Sequence, residues 1–234
     1  MSTPVSSWPA AVLFDFDGVI VNSEPVHFAA FKTLLAEEDI PLGEDEYYAE
    51  LIGFDDRGAI AHMLAKNGRP VTPARITELK DRKARLMQQL LARGDVPGLR
   101  GVDAFVRALA KTYPLAICSG AVKPEIEMML DGVGLRSFFS VIVGADEVSV
   151  GKPDPMGYLL TTRLIGEKIG RALSPADVLI IEDAPIVVES VRRAGFPVLA
   201  VTTTYPADAL GAANWVVESL EPAEVAQKIP ELKL

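Results

Sequence analysis

The feature that most limits how this chain can fold is a series of short, almost wholly apolar segments set between helix-like stretches. Ala11 to Phe16, Leu115 to Cys118, Val141 to Val143, Val178 to Ile181 and Pro197 to Val201 read as buried strands. Helical patterns separate the last four. Pro124 to Leu130 opens with proline at a first helical position, and Pro155 to Ile169 carries apolar residues at helical spacing. Ile186 to Ala194 stops at Gly195. Strands alternating with helices give a parallel sheet with right-handed crossovers, and strands this apolar belong to a sheet covered on both faces. The expected fold class is therefore α/β, with a Rossmann-like parallel core.

From about Glu24 to Arg93 the alternation stops. Phe28 to Glu38, Glu44 to Leu51, Arg57 to Asn67 and Ala74 to Arg93 all read as helices, with no strand between them. The last carries Lys80, Arg82, Lys83 and Arg85, read as a charged face. Gly94 to Gly98 then reads as a hinge back to the sheet. The division expected is a core of residues 1–22 and 95–234 with an all-helical insert, 23–94, placed after the first strand.

Bulk properties set the partners. A chain of 234 residues with 49% apolar content has ample material for a core. Charged residues interrupt its longest apolar stretch, Val178 to Val191, so no membrane span is expected, and the first residues lack a signal-peptide pattern. The single cysteine, Cys118, forms no internal disulfide, and a cytoplasmic protein follows by default. Nothing in the sequence demands an oligomer, and a monomer is expected. A formal charge of −9 argues against nucleic acid. It also means that any work on phosphates needs local positive charge, from a metal or from placed lysines.

Ligands of parallel α/β sheets bind beyond the carboxyl ends of the strands. After the first strand stands Asp15-Phe16-Asp17-Gly18, an i, i+2 pair that extended backbone points to one side. After the second stands Ser119-Gly120, after the third Gly151-Lys152-Pro153, and after the fourth Glu182-Asp183. Taken singly, each also has a structural reading: Asp-x-Asp-Gly as a turn, Ser119 as a helix cap, Lys152 as a loop lysine, Glu182-Asp183 as a helix start. Their order, and spacings of 33 residues from Ser119 to Lys152 and 30 from Lys152 to Glu182, fit one strand-helix-strand unit each.

These residues, with Ser23-Glu24 after the first motif, resemble the haloacid dehalogenase-like phosphatase superfamily. Within it the likeness is to members with a helical cap inserted after the first strand, such as phosphoglycolate and sugar-phosphate phosphatases and β-phosphoglucomutases. The resemblance implies that Asp15 attacks phosphorus to form an aspartyl-phosphate, while Asp17 protonates the leaving oxygen and then deprotonates water. It further implies that Ser119, Gly120 and Lys152 hold the phosphoryl group. Asp15, Asp17 through its carbonyl, Asp183 and Glu182 would hold Mg²⁺, a hard cation suited to oxygen ligands. A small phosphorylated metabolite is the implied substrate.

Departures from the family pattern are visible. Ala184 and Val187 stand where similar sequences have serine and glycine, and Asn22 stands where relatives often have aspartate. Ser119-Gly120-Ala121-Val122 lacks the serine-lysine pair that some mutases place there, which favours a phosphatase over a β-phosphoglucomutase-like mutase. In the insert, His27, Arg57 and Lys83 are candidate substrate contacts, with a core or capping histidine and solvated surface cations as the competing readings. His62 carries no signal, Cys118 reads as a small core residue, and Trp8 and Trp215 as packing residues. A phospho-receiver switch also gathers acids, a hydroxyl and a lysine at strand ends. Two aspartates on one strand and the helical insert set this chain apart from it.

Overall fold

The computed structural model describes residues 8–51, 54, 56–92 and 98–234. The expected hinge at 94–97, the helix end at Arg93, the first seven residues, and Gly53 and Asp55 lie outside the described residues. The chain divides into two compact units, Met1–Asn22 with Pro97–Leu234, and Ser23–Val96.

The first unit is built on a six-stranded parallel sheet of order β3-β2-β1-β4-β5-β6. Its strands are β1 Ala11–Phe14, β2 Leu115–Cys118, β3 Phe139–Val143, β4 Val178–Glu182, β5 Val198–Val201 and β6 Trp215–Val217. The α/β expectation is met. Period-two alternation buries both faces: Ala11, Leu13, Ala116, Cys118, Val178 and Ile180 enter one apolar cluster, while Phe14, on the other face, meets Phe105 and Phe139 edge to face. β6 was not anticipated. Only three residues long, it keeps Trp215 and Val216 partly exposed, so it lacks the apolar run that marks the inner strands. Trp215 packs on Trp8 at 5.8 Å between ring centroids, the packing role expected of both.

Among the described residues the helices of the second unit are α1 Glu24–Ala36, α2 Glu44–Glu50, α3 Asp56–Lys66 and α4 Pro73–Leu91. Those of the sheet unit are α5 Val102–Leu109, α6 Lys123–Gly132, α7 Met156–Ile169, α8 Pro185–Arg193 and α9 Pro222–Lys228. Prolines open α4, α6, α8 and α9, where a missing N–H costs nothing. Among the described residues no helix is long and apolar enough to cross a membrane.

The second, helical unit has its own core, in which Phe31, Leu34, Leu35 and Ile40 meet Tyr47, Ile60, Met63, Leu64 and Leu79. Thr72 caps α4 by accepting from the N–H of Arg75 at 3.2 Å. The buried residues of α4 are Leu79, Lys83, Met87 and Leu91, four apart. That stripe corrects the reading of Lys83 as a solvated surface cation: its side chain is 2% exposed. An apolar stripe at every fourth residue with one lysine in it looks, on composition alone, like part of the charged face beside it.

Candidate active site

β1 ends one residue before Asp15, whose N–H donates to the carbonyl of Ile181 on the neighbouring strand. Parallel pairing of Phe14 with Ile181 thus sets Asp15 beside Glu182 and Asp183. On the other flank Phe14 pairs with Ile117, so Ser119, just past β2, lies at the next strand end. Ser119 is buried, donates its N–H to Val143 and accepts on Oγ from the N–H of Ala121 at 3.0 Å. Gly120 beside it is exposed, with no atom within 4 Å of where a Cβ would stand.

Lys152 ties the strand ends together. Its Nζ donates to Asp15 Oδ1 at 2.6 Å, to Glu182 Oε1 at 2.7 Å and to the hydroxyl of Tyr158 at 3.0 Å. Glu182 has no exposed surface, and its Oε2 accepts from the N–H groups of Asp183 and Ala184 at 2.9 and 3.0 Å. Oxygens of Asp15, Glu182 and Asp183 lie within 4.8 Å of one another.

Three converging carboxylates strain their own ionisation. Burial pushes Asp15 well above the usual carboxylate range; Lys152 opposes this, while Glu182 and Asp183 add to it. Burial likewise lifts Asp183 to about 6, against the pull of the Thr204 hydroxyl and with the push of Glu182 and Asp17. Burial works against the charge on Lys152, but Asp15 and Glu182 outweigh it and hold the ammonium above the ordinary lysine range. An oxygen-only donor set with more negative than positive charge suits a hard divalent cation.

Gly18 completes this corner. It has φ +77, and a Cβ there would overlap Oδ2 of Asp183 and stand 2.6 Å from its Cγ and 2.9 Å from Thr204 Oγ1. The turn after Asp17 can pass this close to Asp183 only without a side chain.

Two site residues escaped the sequence reading. Thr204 donates to Asp183 from the loop after β5, and Tyr158 contacts Lys152 and Glu182 from the first turn of α7. Extending the strand-end rule to the fifth strand would have reached Thr202, Thr203 and Thr204. No sequence signal marked Tyr158, which reads as one more apolar position of a helix.

In the helical unit, Lys83 donates to His27 Nδ1 at 2.8 Å and to Asp56 Oδ1 at 2.7 Å, with its Nζ 4.8 Å from the centre of the Phe31 ring. An Nδ1 that accepts from an ammonium makes His27 the neutral tautomer protonated on Nε2. Burial, then the charge of Lys83, lowers His27 to about 4, with Asp56 opposing. Arg57 is exposed in the first turn of α3. His62, given no role, pairs with Glu50 at 2.9 Å and stacks on Phe54. Cys118 is a buried core residue whose thiol burial lifts to about 11.

Carboxylates and a lysine gathered at the carboxyl ends of parallel strands mark the chain as an α/β protein with its ligand site at the strand ends. Its particular family follows: a model described as haloacid dehalogenase-like hydrolase matches residues 12–201, and the chain belongs to that family. Protein CbbY of Rhodobacter capsulatus is 29% identical over 229 residues, spanning 95% of this chain and 98% of that protein. The validoxylamine A 7'-phosphate phosphatase of Streptomyces hygroscopicus subsp. limoneus is 27% identical over 213 residues, 89% of this chain and 92% of that one. Among solved structures, CbbY from Rhodobacter sphaeroides in complex with phosphate shares the fold, with a TM-score of 0.77 at 21% identity over 96% of this chain and 99% of that one.

Proposed function

We propose that this chain is an Mg²⁺-dependent phosphomonoesterase that hydrolyses a small sugar- or glycolate-type phosphate through an aspartyl-phosphate on Asp15. The observation that carries the reading is the bridge from Lys152 to both Asp15 and Glu182, beside Asp183. Asp15 is the nucleophile. Its carboxylate oxygen attacks phosphorus, the bond to the leaving oxygen breaks, and Asp17 gives that oxygen its proton. Asp17 then takes a proton from water as the water oxygen attacks the phosphorus of the aspartyl-phosphate, which restores Asp15 and releases phosphate. Lys152, with the hydroxyl of Ser119 and the backbone at Gly120, holds phosphoryl oxygens and keeps them from being repelled by the surrounding acids.

Asp15 and Asp183, with the carbonyl of Asp17, would hold Mg²⁺, which supplies further charge neutralisation at the phosphoryl group. Glu182 belongs to the same cluster, but both its oxygens already accept hydrogen bonds. It would therefore serve the ion by fixing Lys152 and the backbone of Asp183. His27, Lys83 and Arg57 remain the candidate contacts for the organic part of the substrate. The single thiol supports a cytoplasmic setting.

A screen of phosphorylated metabolites with and without Mg²⁺ tests this. Phosphate release that needs Mg²⁺ and vanishes in Asp15→Asn is expected. Full turnover by Asp15→Asn would refute the nucleophile. Conversion of β-glucose 1-phosphate to glucose 6-phosphate would make the enzyme a phosphosugar mutase on the same intermediate.

A further inference from the structure

Tyr158 is among the largest fully buried side chains, yet its polar tip is kept inside the site. The hydroxyl lies 3.0 Å from Lys152 Nζ and 3.0 Å from Glu182 Oε1, which are themselves 2.7 Å apart. Donor chemistry fixes the directions. A lysine ammonium only donates and a carboxylate only accepts, so the phenol accepts from Lys152 and donates to Glu182. The three N–H bonds of Lys152 are thereby assigned, to Tyr158, Glu182 and Asp15. Glu182 is pinned in turn by the N–H groups of Asp183 and Ala184.

Packing alone does not call for this hydroxyl. The ring belongs to a buried apolar cluster and lies 6.4 Å from the Phe196 ring between centroids, and a phenylalanine would fill the same space without burying a polar group. The fold also brings the ring in deliberately close. At Gly157 a Cβ would stand 2.8 Å from Cys118 Sγ, so the missing side chain lets the first turn of α7 lie against β2. Tyr158 then sits under Lys152, whose Nζ is 4.7 Å from the ring centre.

We propose that Tyr158 is a positioning residue for Lys152: with Glu182 its hydroxyl seats the ammonium so that the third N–H points at Asp15 and the phosphoryl group it receives. The proposal rests on the reading of Lys152 as a phosphoryl-binding group. A lysine on a flexible four-carbon stem has no direction of its own, and two fixed acceptors give it one. As the phosphoryl group arrives at Asp15, Lys152 turns only the third N–H to it, and the other two hold.

The test is a cycle of Tyr158→Phe and Lys152→Ala, read by turnover and by inhibition with orthovanadate, which mimics five-coordinate phosphorus. Phenylalanine keeps the ring and removes only the hydroxyl. In the otherwise native enzyme kcat should fall about tenfold, the scale of one hydrogen bond to a charged group, with KM changed by less than about twofold. Orthovanadate inhibition should weaken about as much. In the Lys152→Ala background Tyr158→Phe should change neither, because the group it positions is gone. Equal losses in both backgrounds, or no loss in Tyr158→Phe, overturn the positioning role while leaving the phosphatase reading intact. Native turnover by Lys152→Ala would remove the role of Lys152, and the proposal with it. Where Lys152→Ala turnover is too slow to measure, orthovanadate must still bind about tenfold more weakly to Tyr158→Phe, and unchanged binding overturns the proposal.

Discussion

Gly18→Ala separates the geometry of the site from the stability of the fold. A methyl group at this position would overlap the Asp183 carboxylate and stand 2.6 Å from Asp183 Cγ and 2.9 Å from Thr204 Oγ1. Ordinary contacts between such atoms begin near about 3.4 Å, so Asp183 must retreat by roughly 1 Å. Misplacement on that scale costs about 10²-fold in turnover, and a displaced ligand or its partner costs about 10- to 100-fold in metal affinity. The backbone adds its own strain, about 1 kcal/mol or somewhat more for an L-residue at φ +77. Gly134→Ala is the control: its φ is +69, but no atom lies within 4 Å of the new Cβ. It should lower the melting temperature by about 2–4 °C per kcal/mol of strain and leave turnover unchanged. Mg²⁺ affinity by titration calorimetry, turnover, and thermal melts of both variants decide the matter. Native Mg²⁺ affinity and turnover in Gly18→Ala would refute the idea that this glycine exists to admit Asp183.

Two predictions concern the helical unit. Asp56→Ala should destabilise it by about 2 kcal/mol in urea unfolding, because it strips the carboxylate from Lys83, whose side chain is 2% exposed; the figure is reduced because Asp56 itself is 30% exposed. Lys83→Met, which removes the buried charge instead of its partner, should cost less, and the reverse order would contradict the pairing. His27, held at about 4 in the folded helical unit, lies below its unfolded value near 6.5, so the unfolded chain takes up a proton first as pH falls. Stability should therefore decline from about pH 6.5 toward pH 4, by about 2 kcal/mol between pH 7.5 and 5, and His27→Leu should lack that part of the decline. Parallel pH dependence in the two proteins would show that His27 takes up its proton as readily in the folded helical unit as in the unfolded chain.

Much of the sheet and its carboxylate cluster was legible because both follow from local rules. Apolar runs too short for helices gave β1, β2, β4 and β5 nearly to their ends. The strand-end rule then gathered Asp15, Ser119, Lys152, Glu182 and Asp183 from four distant stretches of sequence. β6, α5 and α9 were missed: β6 is half exposed and α9 is seven residues long, so neither has a periodicity that stands out from its surroundings. Thr204 and Tyr158 were missed for a different reason. A threonine after a strand and a tyrosine in a helix are ordinary residues, and only the pairing of Asp183 with one and of Lys152 with the other gives them work. Lys83 was misjudged because a helix wheel counts charge, whereas burial depends on the partners that His27 and Asp56 contribute from elsewhere in the helical unit.

Trapping the intermediate tests the nucleophile most directly. The enzyme, mixed with Mg²⁺ and a substrate found by the metabolite screen, is quenched in acid during turnover, reduced with borohydride and digested for mass spectrometry. An acyl-phosphate on Asp15 is reduced to homoserine, so homoserine should appear at position 15, and nowhere in the Asp15→Asn enzyme. Homoserine at Asp17 or Asp183, phosphate carried on Ser119, or turnover with Asp15 unmodified under conditions that trap other acyl-phosphates would contradict the mechanism.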